Sequence, residues 1–332
     1  MLNKSVLKSL LIRCSGYEAY KWLTRENGLY CFNYHRIGDC TKTPFDPNLY
    51  SCSEEQFKKQ IQFIKKNFQV ITLEEVLLLA EHKLPLNRRY ALITFDDGYI
   101  DNYEVAYPVL KEEKISAIFF IPTDYVDSEL IPWWDEISWM LKKTTKKTFC
   151  FGESGTVHLN GSTVDKVIRN FLTVIKTDPR PMDEKLLELK TKLGCEYNVN
   201  PRDKSLFVSW RQIKEMKSGG MAIGSHTCSH RILTHINKEN QLLELEQSKQ
   251  CLEQHLGCAI DSVAYPVGQR NTFNNDICEM TKQLGYKIGF SFTNTVNDLP
   301  IVNPYNVSRL GIDNQPSLMV LRQKIVLSGK SE

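Results

Sequence analysis

Two short segments hold residues able to do chemistry together. Thr94-Phe95-Asp96-Asp97-Gly98-Tyr99 places adjacent carboxylates at the end of an apolar run, and Ser225-His226-Thr227-Cys228-Ser229-His230 sets two histidines four residues apart. Side chains alternate along a strand, so adjacent carboxylates at its end point in different directions, one toward a metal and one toward substrate. Gly98 permits a sharp turn there. The histidines share a face if a helical turn follows their strand. Each segment alone is weak, because Asp-Asp-Gly also forms surface turns and histidines also occupy polar loops. Together they make a workable hydrolase centre. A metal held by His, His and Asp lowers the pKa of bound water and polarises a carbonyl, while a second Asp accepts a proton as general base. A zincin protease is disfavoured, since Thr227 stands where a Glu must follow the first His. A glycoside hydrolase is disfavoured too. Its carboxyls flank a bond at about 5–9.5 Å, whereas adjacent residues at a strand end suit a metal. Cys228 is expected to pack inward rather than to ligate.

The surrounding pattern alternates strand-like and helix-like runs, which predicts an α/β protein with a mainly parallel sheet or barrel. Strands are predicted at 29–34, 90–95, 117–121, 221–225, 262–265 and 287–292, with helices over about 102–113, 238–256, 274–284 and 317–328. Capping boxes at Ser53/Gln56, Thr72/Glu75 and Ser209/Gln212 open further helices. Strand ends in such folds carry the chemistry, and Asp96, Asp97, His226 and Pro266-Val267-Gly268 all fall there. Residues 127–207 break the alternation and read as a helical and mixed insertion on a barrel spanning 29–332.

The net charge of +3 among 332 residues is nearly balanced and gives no reason to expect nucleic acid as the partner. No apolar run approaches the roughly 18 residues needed to cross a bilayer. Residues 1–28 read as an N-terminal helix rather than a secretory signal, since Lys8 interrupts and Arg13 ends the apolar stretch. Lys4, Lys8, Arg13, Lys21 and Arg25 would allow weak contact with an anionic membrane surface. Ten cysteines occur without a C-x-x-C pair in this long chain, which fits reduced thiols in a cytoplasmic, optionally membrane-peripheral protein. Secretion is not excluded, and oligomeric state is not legible.

With Ala264-Tyr265-Pro266-Val267-Gly268 as a third segment, the two chemical segments resemble the first three motifs of the NodB-homology polysaccharide deacetylases, also grouped as carbohydrate esterase family 4. The resemblance spans about residues 29–312 outside the insertion. It implies a distorted (β/α) barrel with a divalent metal, usually zinc, with cobalt, nickel and manganese as alternatives for an N/O donor set. It assigns Asp97, His226 and His230 as ligands, Asp96 as base, and the Val267 N–H to the oxyanion hole.

The sequence also departs from that pattern. Ala264 stands where the usual third motif has an Arg, no His follows His255, and no fourth-motif Trp is evident after residue 268. Tyr34-His35-Arg36-Ile37 resembles the N-terminal segment of the branch acting on poly-N-acetylglucosamine, whose histidine serves as acid, and His35 is the candidate here. Arg309, in Val307-Ser308-Arg309-Leu310 after a candidate last strand, is the candidate replacement for the Arg; a surface salt bridge explains it equally well. Trp133 and Trp134 are candidates for a sugar-stacking wall or for core packing, with Tyr265 and Pro266 as further substrate contacts. The expected activity is removal of N-acetyl groups from N-acetylhexosamine units of a polysaccharide, oligosaccharide or precursor. Two rivals stand beside it: a catalytically impaired glycan-binding barrel, and an amidase or deacetylase acting on a small molecule.

Overall fold

The computed structural model describes residues 16–152, 155–159, 164–195, 206–313 and 317–329. Eight strands form one sheet: β1 (Gly28–Tyr34), β2 (Gln69–Val70), β3 (Arg89–Phe95), β4 (Ile118–Ile121), β5 (Ala222–Ser225), β6 (Ser262–Ala264), β7 (Ile288–Phe290) and β8 (Leu310–Gly311). Their order is β7-β6-β5-β4-β3-β1-β8, with β2 beside the first half of β3, and every pairing is parallel. The sheet curls until a Phe290–Val307 bridge links the two ends of that order. This is the distorted (β/α) barrel expected from the sequence.

Each central strand is apolar on both faces because both are covered. Leu29, Cys31, Tyr90, Leu92, Ile118, Phe120, Ala264, Ile288 and Phe290 fill the inside of the curl. The intervening Tyr30, Phe32, Tyr34, Ala91, Ile93, Phe95, Phe119, Ile121 and Val263 pack under the outer helices. The period of two carries on past the strand ends. Asn33, His35, Thr94, Asp96, His226 and Phe292 therefore continue the inward series, and the register Asn33↔Thr94 and Ile121↔Ser225 brings those ends level.

Helices α1 (Tyr17–Leu23), α2 (Glu54–Asn67), α3 (Leu73–Ala80), α4 (Tyr107–Glu113), α5 (Trp133–Lys143), α6 (Val164–Thr177), α7 (Met182–Leu193), α8 (Trp210–Ser218), α9 (Lys238–Leu256), α10 (Asn275–Gln283) and α11 (Leu318–Leu327) complete the chain. The capping boxes that open α2, α3 and α8 are formed, each with reciprocal bonds between cap and third residue. Asn102–Ala106 is a widened helical turn leading into α4. In the 127–207 region, α5, α6, α7 and a hairpin (Thr148–Cys150 with Thr156–His158) share a second hydrophobic cluster, closed by Tyr99, Tyr125 and Phe207.

Two local expectations change. The loop after β5 is not a helical turn: Thr227 and His230 both adopt positive φ. Arg309 precedes the short strand β8 instead of following a strand. At the N-terminus the described helix is only α1, with Lys4, Lys8 and Arg13 outside the described residues; Arg25 stacks on Trp22 at 3.9 Å and bonds the Asn67 carbonyl, so it is turned onto the protein. No helix among the described residues is long and apolar enough to cross a membrane. The nine described cysteines are all free thiols.

Gly224 lies on the inward face of β5, two residues before His226. A Cβ there would sit 2.5 Å from the Phe120 ring and 2.7 Å from Ser262 Oγ. Gly224→Ala should destabilise the fold by about 1–3 kcal/mol through overpacking, read as a lower urea midpoint. An unchanged midpoint would show that β4 and β6 can separate freely.

Candidate active site

Asp97, His226 and His230 offer ligand atoms that all lie within 4.8 Å of one another, and all three residues are buried. Asp97 Oδ1 is 3.5 Å from the Nε2 of each histidine. His226 Nδ1 contacts the Ala264 carbonyl at 2.8 Å, which makes Nδ1 the protonated nitrogen and turns the Nε2 lone pair into the site. Burial, with His226 alongside, pushes His230 down to about 3, so its imidazole stays in the neutral, ligating form. One carboxylate and two imidazoles therefore fit a divalent metal of the zinc type.

Strand alternation alone does not produce this cluster. Asp96 continues the inward face of β3, whereas Asp97 would point outward. Its φ of 72° swings it back, so both carboxylates approach the same His226 Nε2, Asp96 Oδ2 at 3.9 Å and Asp97 Oδ1 at 3.5 Å. Thr227, His230 and Val267 share this left-handed backbone, and for β-branched Val267 it is a costly conformation. Such strain concentrates at functional sites, where the surrounding structure enforces it.

Asp96 is almost fully buried and doubly held. Arg309 Nη1 donates to its Oδ1 at 2.6 Å, and Asn33 Nδ2 donates to its Oδ2 at 3.0 Å. Arg309 also bonds Asn33 Oδ1 and the Ser291 carbonyl, and Thr94 Oγ1 completes the group by donating to Asn33 Oδ1 at 2.7 Å. Burial by itself would raise the Asp96 carboxyl; the guanidinium, with His226 and His35, instead holds it well below the usual carboxylate range. His35 lies across the carboxylate, with Nε2 3.9 Å from Asp96 Oδ2. Its backbone is pinned by Ser51 Oγ and Asn102 Nδ2, and its ring meets the edge of Phe292. Val267 lines the same cleft of about 330 Å³, in a tight turn closed by the Gly268 N–H donating to the Pro266 carbonyl. The Val267 N–H has no partner among the described residues.

The polysaccharide deacetylase family model matches residues 83–289. The chain belongs to the polysaccharide deacetylase family. It is 26% identical over 304 residues to the poly-β-1,6-N-acetyl-D-glucosamine N-deacetylase of Staphylococcus aureus (strain MRSA252), covering 87% of this chain and 80% of that one. It is 22% identical over 238 residues to a Bacillus subtilis (strain 168) protein classed with the polysaccharide deacetylases, covering 71% of this chain but only 57% of that relative. Among solved structures, the Streptococcus pyogenes deacetylase PplD in complex with acetate superposes with a TM-score of 0.57 at 20% identity, covering 90% of this chain and 98% of that one. IcaB from Ammonifex degensii gives 0.52 at 18%, covering 90% and 96%. At such identities these two matches speak for the fold.

Further side chains brace the site, some of them marked by no sequence motif. Glu244 of α9 clamps the loop between the two histidines, accepting from the Cys228 and Ser229 N–H groups at 2.9 Å each and from the Ser229 hydroxyl. Cys228 packs against the Glu244 carbonyl, away from the ligand set. Trp133 and Trp134 line the cleft, yet both are nearly buried and brace His230. Trp133 Nε1 donates to its carbonyl, and the Trp134 ring meets its imidazole edge-on with centroids 4.4 Å apart. Trp134 Nε1 donates to the Tyr99 hydroxyl, which in turn donates to Asp135. Tyr265 and Pro266 do not face the cleft. Tyr265 belongs to the outward series of β6, is fully buried against Phe273, and gives its hydroxyl to the Tyr305 carbonyl; Pro266 is buried in the turn.

Two predictions follow from these buried charges. Arg309→Met strips the buried Asp96 of its guanidinium and leaves only Asn33 donating to it, at a cost of about 3–5 kcal/mol. Adding Asp96→Asn should recover most of that loss in a double-mutant unfolding cycle, and additive losses would deny the coupling. Among the described residues Asp135 has no cation in hydrogen-bond contact, and burial pushes its carboxyl up to about 7 despite Arg36 nearby. A raised folded-state value means that the unfolded chain loses this proton first. Wild type should therefore lose stability relative to Asp135→Asn as pH climbs from about 4 to about 7, with a constant gap above that. Urea midpoints across pH would read it, and a stability difference between the two proteins that stays constant over that interval would mean Asp135 is charged in the fold.

Proposed function

We propose that this chain hydrolyses the N-acetyl group of N-acetylhexosamine units in a polysaccharide, oligosaccharide or glycan precursor. The observation that carries the reading is one cleft in which Asp97, His226 and His230 converge beside an Arg309-held Asp96, with His35 opposite. The name of the Staphylococcus aureus relative supports the same substrate class.

A divalent metal held by Asp97, His226 and His230, most simply zinc, supplies Lewis acidity toward the acetamide carbonyl and toward water. The side chains divide the proton work. Asp96, kept ionised and oriented by Arg309 and Asn33, accepts the proton of the attacking water. The free Val267 N–H donates to the developing oxyanion. His35, on the far side of Asp96, delivers a proton to the leaving amine nitrogen, without which the C–N bond breaks poorly. The ground for a catalytically impaired barrel was the missing Arg and the missing C-terminal histidine. Arg309 and His35 occupy positions from which both tasks can be done.

Acetate release from N-acetylglucosamine oligomers tests this directly. Activity should vanish on chelation and return with zinc. Asp96→Asn and His35→Ala should each lower kcat by about 10²–10⁴-fold, the usual yield of a positioned acid or base. Full activity in Asp96→Asn would sink the mechanism. Glycan binding without acetate release by the zinc-loaded protein would favour a binding module instead.

A further inference from the structure

The acids lining the cleft are each matched. Asp96 has Arg309, and Asp97 lies between the two histidines. Asp46 caps its own turn by accepting from Asn48 N and Nδ2 at 2.9 and 2.7 Å, and Asp313 is 3.8 Å from Lys324 Nζ. Two cations on the same lining are not matched. Arg169 and Lys176 border the cleft, and among the described residues neither side chain has a hydrogen-bond or ion-pair partner.

Both sit on α6, in the insertion. Arg169, Leu172, Thr173 and Lys176 follow helical spacing and all line the cleft, so they form one stripe facing it. Two turns separate the cations, about 10 Å along the axis. Lys176 lies deeper and is half-buried, with its charge felt by His230; Arg169 is exposed at the mouth beside Asp46. Burial lowers the Lys176 ammonium from its ordinary value, while Asp97, Asp46 and Asp313 oppose that shift. An unpaired ammonium in a walled cleft carries a desolvation cost that an anion would relieve.

We propose that Arg169 and Lys176 form an anion subsite beside the deacetylation centre, so that the substrate carries a carboxylate or phosphate next to its N-acetylated sugar. This rests on the deacetylase reading for the sugar but not for the anion. The subsite is tested by calorimetry on the full chain with three matched N-acetylglucosamine oligosaccharides: a neutral one, one with a neighbouring uronic acid, and one bearing a phosphate. At least one anionic ligand should bind roughly tenfold or more tightly than the neutral one, and raised salt should shrink that ratio. The preferred ligand of the two tells carboxylate from phosphate. In the Arg169→Gln/Lys176→Gln double variant the ratio of anionic to neutral affinity should fall to about one, and Lys176→Arg should keep most of it. Equal binding of all three ligands by wild type, or a preference that survives in the double variant, overturns the subsite. Acetate release is recorded on the same samples. Anion preference without turnover of any ligand would reject the deacetylase reading alone and uphold the subsite.

Discussion

A carboxylate taken out of water stays charged only if a partner replaces the solvent, and this protein buries two at the end of one strand. Asp96 is matched by a guanidinium at 2.6 Å, and Asp97 faces two imidazole nitrogens at 3.5 Å, with which it forms a donor set that a divalent cation would match. Much of the surrounding architecture serves those two pairings. Arg309 reaches Asp96 because β8 lies beside β1 and β1 beside β3, so the side chain just before the last strand arrives next to the one just past the third. The Ala264 carbonyl of β6 orients His226, and Glu244 of α9 holds the loop that returns His230 to the site.

The inward face of the curled sheet makes this convergence possible. Along each strand alternate residues fill the interior, and where the apolar filling stops the same series continues as Asn33, His35, Asp96, His226 and Phe292. The site is thus the polar end of the barrel's own core. The layers below its floor are closely packed, with Gly224 allowing Phe120 and Ser262 to approach. Residues that must leave the alternation, Asp97, His230 and Val267, do so through left-handed backbone. The insertion adds the remaining wall. α5 props His230 through its tryptophans, and α6 turns Arg169 and Lys176 toward the opening.

Much of this was legible beforehand. The parallel strands, the capping boxes and the four central residues, Asp96, Asp97, His226 and His230, follow from local pattern, because apolar runs, caps and short motifs are properties of neighbouring residues. Less was legible in the shell. Asn33 and Glu244 carry no local signature, since an Asn in a strand and a Glu in a helix look ordinary until their partners are known. Residue type leaves Trp133 and Trp134 open between a sugar-stacking wall and core packing and offers Tyr265 as a substrate contact; packing makes the tryptophans braces for His230 at the cleft's edge, and strand parity turns Tyr265 outward.

The sequence by itself determined which groups do chemistry and where along the chain each strand ends, because both depend on residue type and on periods of two or 3.6. Only the tertiary structure decided that Arg309, 213 residues from Asp96, is its partner, that a left-handed turn swings Asp97 back beside its neighbour, and that an insertion helix hangs two cations over the cleft. These depend on which strands lie side by side and on how far the sheet curls, and no local stretch of the chain encodes either.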